Sequence, residues 1–331
     1  MARIAVVFTG GTISMLVDPI AGGAVPALDG AAILARTPGL DALADLVPID
    51  RGMIPASHWT FERLLELAGD LRRLAADDSI DGIVVVQGTD TIEESSFAFD
   101  LLVETPKPIV VTGAMRNATD PGYDGPANLR DAVRCAANPD LAGYGVVVVL
   151  AGTIQPAADV TKTHTSRLDT FQSLNAGGVG RLLDTGTVQL DGPPRARRLV
   201  LDTTVAAQPI PIVVATIGQD AGLIRSLRTL APAGIVVEAT GAGNTSAILL
   251  AEAQEALDAG IPIVLVSRSP SGAAGAEYAF PGGGATWLRA GALLAGTLTG
   301  PKARIALALA LGAGLRGGEL AAFLAGPPAA T

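Results

Sequence analysis

The chain has one cysteine, few aromatic residues (4%) and little charge, with Asp, Glu, Lys and Arg together at 17%. A lone Cys135 excludes an internal disulfide and any cysteine-based zinc site, though it does not decide between secretion and retention. Scarce charge beside 49% hydrophobic residues and a mean hydropathy of +0.43 excludes disorder, which needs the opposite balance. There is no basic tail, and the net charge is −9, so the positive footprint of a nucleic-acid or anionic-membrane partner is missing. No apolar run reaches the length of a membrane span, and no repeat recurs at a fixed period. The apolar stretch Ile4–Phe8 is also too short for a signal peptide and runs straight into Thr9-Gly10-Gly11-Thr12. It reads as a buried first strand, and the chain as a soluble, cytoplasmic protein.

What is present is a large stock of Ala, Val, Leu, Ile and Gly over 331 residues, about twice the usual domain length. Apolar runs at Ile4–Phe8, Gly82–Gln87, Pro108–Thr112 and Gly145–Leu150 have the look of strands buried on both faces. Between them, Thr60–Leu74 is amphipathic with Ser57 as a candidate cap, and Asp90–Val103 and Pro126–Ala137 are further helix candidates. The pattern lapses in a Pro- and Gly-rich stretch carrying Arg195, Arg197 and Arg198. It restarts with strands at Ile212–Ile217, Gly234–Glu238 and Pro262–Ser267 and helices at Ala221–Leu230, Thr245–Ala259 and Lys302–Leu311, before a tail that reads as frayed. The expectation is an α/β protein: a larger N-terminal, doubly wound, mostly parallel sheet domain (1–190), a linker (191–211) and a smaller C-terminal α/β domain (212–331).

In such sheets ligands gather beyond the C-terminal strand ends. Those ends carry Thr9-Gly10-Gly11-Thr12-Ile13, Gln87-Gly88-Thr89-Asp90-Thr91, Gly113-Ala114-Met115-Arg116 and, further on, Asp159-Val160-Thr161-Lys162-Thr163-His164. No Gly-x-Ser-x-Gly elbow, His-Glu-x-x-His or P-loop occurs. Gly241-Ala242-Gly243-Asn244-Thr245 is an incomplete dinucleotide loop without its third glycine. His58 reads as structural, and His164 as a candidate site residue because it lies beside Lys162. Threonine chemistry remains: Thr89, Asp90 and Lys162 supply a hydroxyl, a carboxylate and an amine, and Thr12 is a second hydroxyl in a glycine turn.

These motifs resemble those of the bacterial-type L-asparaginase family. The likeness runs in order through Thr9–Ile13, Gly88–Thr91 with Glu93-Glu94, Gly113–Arg116 with Asp124–Leu129, Asp159–Thr163, and the Gly243-Asn244 and Gly296–Arg304 stretches. It implies hydrolysis of a small-molecule amide with release of ammonia, without metal or organic cofactor, in a homodimer or homotetramer. Thr12 would be the nucleophile and Thr89 the second hydroxyl. Lys162 would be the base acting through Thr89, and Asp90 would place that set and hold the substrate's α-ammonium. Gly11 and Gly88 would line the substrate, and Asn244 and the candidate Glu277 would come from the partner subunit.

Three departures bear on the pocket. Residues 14–30 lack the tyrosine that supports the nucleophile in the family; the first tyrosine here is Tyr123. Asp50-Arg51-Gly52 occupies the place of a Ser-Gln pair that holds the amino-acid head group, and Gln87 replaces a histidine. Arg51 is the candidate substitute for the lost carboxylate contact, its alternative being a surface arginine. The leading substrate is L-asparagine, with glutamine, D-asparagine or a modified amide as alternatives. A non-catalytic binding protein on the same scaffold and a nucleotide-binding protein are the competing classes.

Overall fold

The computed structural model describes residues 1–219 and 222–327. It divides into two compact units, Met1–Arg195 and Ala196–Thr331.

The first unit opens with β1 (Arg3–Phe8), a hairpin of β2 (Met15–Asp18) and β3 (Gly23–Pro26), α1 (Gly30–Ala35) and β4 (Asp45–Asp50). It continues through α2 (Phe61–Ala76), β5 (Gly82–Val86), α3 (Ile92–Leu102), β6 (Ile109–Thr112), α4 (Gly125–Ala136) and β7 (Val146–Leu150). Short strands complete it: β8 (Thr153–Pro156), β9 (Val160–Lys162), β10 (Phe171–Ser173), β11 (Gly180–Leu182) and β12 (Val188–Leu190). The main sheet has the order β12-β11-β8-β7-β6-β5-β1-β4. Strands β4, β1, β5, β6 and β7 are parallel, and β8, β11 and β12 add antiparallel neighbours.

Alternate strand residues explain why both faces must be covered. Ile4, Val6, Phe8, Val84, Val86, Val110 and Val147 form one core with Ile33 of α1 and Leu129 and Val133 of α4. The intervening Ala5, Val7, Ile83 and Val85 are equally buried, on the face taken by α2 and α3. Continuous apolar strands therefore follow from a sheet with helices on both sides. Helix α2 is capped by Thr60, whose hydroxyl accepts the Arg63 N–H, and not by Ser57 as its sequence position implied. Ser57 lies three residues too early, in a separate 3-10 turn spanning Ala56–His58. Cys135 is fully buried on α4, and burial pushes its thiol up to about 12.

In the second unit β13 (Ile212–Val214), α5 (Leu223–Arg228), β14 (Ile235–Ala239), α6 (Ala247–Asp258) and β15 (Ile263–Ser267) alternate, followed by α7 (Gly284–Arg289), β16 (Leu293–Leu294), α8 (Gly300–Gly312) and α9 (Gly317–Ala325). Its four strands are parallel, in the order β13-β14-β15-β16. Ile224, Leu249, Ala253 and Ala256 pack on the sheet from α5 and α6, while α8 lies against β13, β14 and β15.

Two sequence expectations change here. Strand β13 stops at Val214, leaving Ile217 exposed, and the tail read as frayed contains α9. Leu320, Phe323 and Leu324 bury a stripe at helical spacing, which overrides the Ala/Gly/Pro composition around it. Ala221, the first residue of the helix expected at Ala221–Leu230, lies outside the described residues. No stretch of helix among the described residues is long and apolar enough to cross a membrane.

Candidate active site

The chain places β4 on one side of β1 and then β5 on the other, so the switch in strand order falls between β1 and β5. The two glycine-threonine motifs follow these two strands, where an open parallel sheet offers a crevice. Each continues into a 3-10 turn, Thr12–Ser14 and Thr89–Thr91. The leading N–H groups of such turns have no acceptor within the turn itself.

Backbone contact brings the two turns together. Gly11 has φ +91°, and a Cβ there would stand 2.1 Å from the Gly88 Cα. Both positions must be glycine for the Thr12 and Thr89 turns to meet. The loop after β6 joins them, since a Cβ on Gly113 would meet the Gln87 carbonyl at 2.3 Å and the Thr89 methyl at 3.3 Å. Gln87 is buried beneath, donating to Thr91 Oγ1 (3.2 Å) and accepting from Ser95 Oγ (2.8 Å), so this departure from the motif is held structurally.

Lys162 arrives from the end of β9. Its Nζ donates to Thr89 Oγ1 at 3.0 Å and to Asp90 Oδ1 at 2.7 Å. Thr89 is buried and the Lys162 side chain is 16% exposed, whereas the Asp90 side chain remains 68% exposed. The carboxylate thus anchors the amine and keeps an open edge for a second cation. The hydroxyl, amine and carboxylate anticipated from sequence meet in one cluster, and Thr12 stands on the adjoining turn.

Glu93 belongs to the second motif, but its residue type and position alone assign it no task. Its carboxylate accepts the Thr161 hydroxyl and, at 3.0 Å, the Lys162 N–H, so it fixes the main chain from which Lys162 extends. Its place in the first turn of α3 is the one sequence signal it offers, and that signal reads as ordinary dipole complementarity. His164, exposed in the loop beyond, accepts the Ser166 and Arg167 N–H groups through Nδ1 and closes that turn.

Arg51 does bind a carboxylate, but it is Asp70 on α2, at 2.5 Å. The pocket it borders is lined by Thr9, Trp59, Arg63 and Asp70 and includes none of Thr12, Thr89, Asp90 or Lys162. Because the guanidinium is already paired within the chain, Arg51→Ala is expected to leave the KM for the best amide within about twofold. A steady-state comparison checks this, and a tenfold rise in KM would return Arg51 to the substrate.

Asn244 and Glu277 belong to the second unit. Asn244 closes a tight turn after β14, its carbonyl accepting the Thr240 N–H and hydroxyl at 2.8 Å each. Its Oδ1 is buried with no hydrogen-bond partner among the described residues. Glu277 is exposed and folds back over Gly275, where a Cβ would stand 2.6 Å from its carboxylate oxygens. Among the described residues no group of three or more His, Cys, Asp or Glu is gathered as a metal-binding set.

A doubly wound sheet with a hydroxyl–amine–carboxylate cluster at its switch point defines a hydrolase-like site. Comparison with known proteins gives the family. The asparaginase N-terminal domain matches residues 3–195, and the glutaminase/asparaginase C-terminal domain matches residues 209–324. The chain is 35% identical to a protein of Deinococcus radiodurans named "Probable L-asparaginase", over 95% of this chain and 94% of that one. It is 32% identical to an L-asparaginase of Bacillus licheniformis, over 93% and 95%. The crystal structure of a "Probable Cytoplasmic L-asparaginase" from Campylobacter jejuni superposes with a TM-score of 0.84 at 30% identity, covering 94% of this chain and 95% of that one. The chain belongs to the asparaginase/glutaminase family, amidohydrolases that cleave amide C–N bonds.

Proposed function

We propose that this protein hydrolyses the side-chain amide of L-asparagine to L-aspartate and ammonia with a threonine nucleophile. The observation that carries the reading is the Lys162 amine held between Thr89 Oγ1 and Asp90. A site that only binds has no physical need of a buried hydroxyl on an amine fixed by a carboxylate, which weighs against a non-catalytic role.

In this reading the Thr12 oxygen attacks the carboxamide carbon while its proton passes through the Thr89 hydroxyl to the Lys162 amine, which acts as the base. Main-chain N–H groups of the Gly11 and Gly88 turns hold the developing oxyanion. The C–N bond breaks as the nitrogen takes a proton and departs as ammonia, leaving an ester on Thr12. Water then cleaves the ester, releasing aspartate and restoring the hydroxyl. The exposed edge of Asp90 takes the substrate's α-ammonium. A partner subunit in a homodimer or homotetramer supplies Asn244, whose unpaired Oδ1 is an acceptor in waiting, and Glu277. The likeness to the Campylobacter chain supports a cytoplasmic setting.

The 3.0 Å contact of Lys162 with Thr89 favours a second reading, in which Thr89 itself is the nucleophile. Ammonia release from L-asparagine, D-asparagine, L-glutamine and simple carboxamides tests the function. Fastest release from L-asparagine is expected. Faster turnover of another amide would reassign the substrate, and silence across the panel from folded protein would overturn the asparagine reading and turn the search to unusual amides or a binding role.

A further inference from the structure

One tyrosine stands out. Tyr123 lies in the loop between β6 and α4, 110 positions from the turn of Thr12, and its hydroxyl donates to the Ile13 carbonyl at 2.8 Å. Ile13 directly follows Thr12 and is fully buried. The Tyr123 ring packs against the core cluster that contains Ile13.

This contact is part of a seam. The same loop donates the Ala118 N–H to the Met15 carbonyl (2.9 Å), and the Thr119 hydroxyl accepts the Val17 N–H (3.0 Å). Residues 13, 15 and 17 are therefore each tied to the loop between β6 and α4. From the other side, the Ser14 carbonyl accepts the Ala27 and Leu28 N–H groups, both at 2.9 Å. The loop is itself braced: the Asp124 carboxylate accepts the Met115 and Arg116 N–H groups and the Asn128 amide, at 3.0, 2.9 and 2.9 Å.

We infer that Tyr123 is a positioning residue for Thr12, clamping the turn that carries the hydroxyl through the Ile13 carbonyl; this rests on the threonine reading above. Burial, reinforced by the neighbouring Asp124, pushes the phenol up to about 12, so the hydroxyl stays a donor at neutral pH. The segment 14–30 has no tyrosine, so the support for the nucleophile's turn comes from a distant loop. A positioning residue acts on rate more than on affinity, because it governs the angle of attack and not the contacts with the bound head group.

The test compares Tyr123→Phe with Tyr144→Phe in the full-length chain. Tyr144 is a fitting control because its hydroxyl also donates to a carbonyl, that of Gly192, away from the Thr12 turn. With L-asparagine as substrate, Tyr123→Phe is expected to lower kcat about tenfold with KM within about twofold, while Tyr144→Phe keeps the parental kcat. Hydrogen–deuterium exchange of the amides at residues 14–17 is expected to quicken in Tyr123→Phe alone. Parental kcat in an active Tyr123→Phe enzyme overturns the inference and leaves the threonine reading standing. Should the parent chain itself release no ammonia from any amide, that reading fails, and unchanged exchange at 14–17 overturns the clamp independently.

Discussion

Thr12→Ala is expected to lower kcat for ammonia release by on the order of 10³-fold or more, with a thermal midpoint within about 3 °C of the parent. Thr12 is half-buried at the first position of its turn. The bonds that shape that turn belong to others: Ser14 donates to the Gly11 carbonyl through both its N–H (2.9 Å) and its hydroxyl (2.7 Å). Losing the Thr12 side chain beyond Cβ therefore removes chemistry while the turn persists. Without a covalent acceptor, only direct attack by water remains, supported by whatever oxyanion and positioning contacts survive. Thr12→Ser restores the hydroxyl and is expected to recover a large part of the rate. Rapid acid quench followed by peptide mass analysis decides between the two threonines, with an aspartyl ester expected on the peptide holding Thr12. An ester on the Thr89 peptide, or a kcat for Thr12→Ala within tenfold of the parent, would make Thr89 the nucleophile.

Lys162→Met is the second large effect, with kcat expected to fall by about 10²–10⁴-fold, the range for loss of a positioned general base. Methionine keeps most of the length of the buried stem, so packing is largely retained. The amine bridge to Thr89 Oγ1 and Asp90 Oδ1 disappears. Asp90 is mostly exposed and regains water, which keeps the stability cost small. Thr89 is buried and loses the partner that orients its hydroxyl. Chemical rescue gives the sharper readout. In Lys162→Ala, added short alkylamines are expected to restore activity in proportion to their basicity, as a base does and a purely structural lysine does not. A Lys162→Met enzyme with parental kcat, or a Lys162→Ala enzyme indifferent to amines, would move the base elsewhere.

The strand ends that carry this chemistry are legible in the amino-acid sequence. Ile4–Phe8 and the valines of β5 are continuous β-branched runs because helices cover both faces of the sheet. Helix α2 is legible because Leu64, Leu67, Ala68 and Leu71 recur at helical spacing and are buried together. Helix α9 is not, because its three buried apolar residues sit in a run of alanine and glycine whose composition resembles a tail. The short strands β8 to β12, three or four residues each, carry too few residues for any period to show.

At the site, glycine turns and threonines declare themselves within five residues. Their partners do not. Lys162 reaches Thr89 across 73 positions because β9 pairs with β10 (Lys162 opposite Phe171) and Glu93 binds its main chain. Arg51 meets Asp70 because α2 packs beside the loop after β4, a pairing that residue types alone do not announce. Tyr123 meets Ile13 because β1 and β6 flank β5, setting their C-terminal loops side by side. Glycine turns and periodic burial depend on neighbours a few residues apart, so the sequence by itself determined the long buried strands, the glycine turns and the hydroxyls they present. Which amine meets the Thr89 hydroxyl and which phenol meets the Ile13 carbonyl depend on strand order and on loops closing over 73 and 110 residues. Those long-range meetings were decided only by the tertiary structure, since no local preference encodes them.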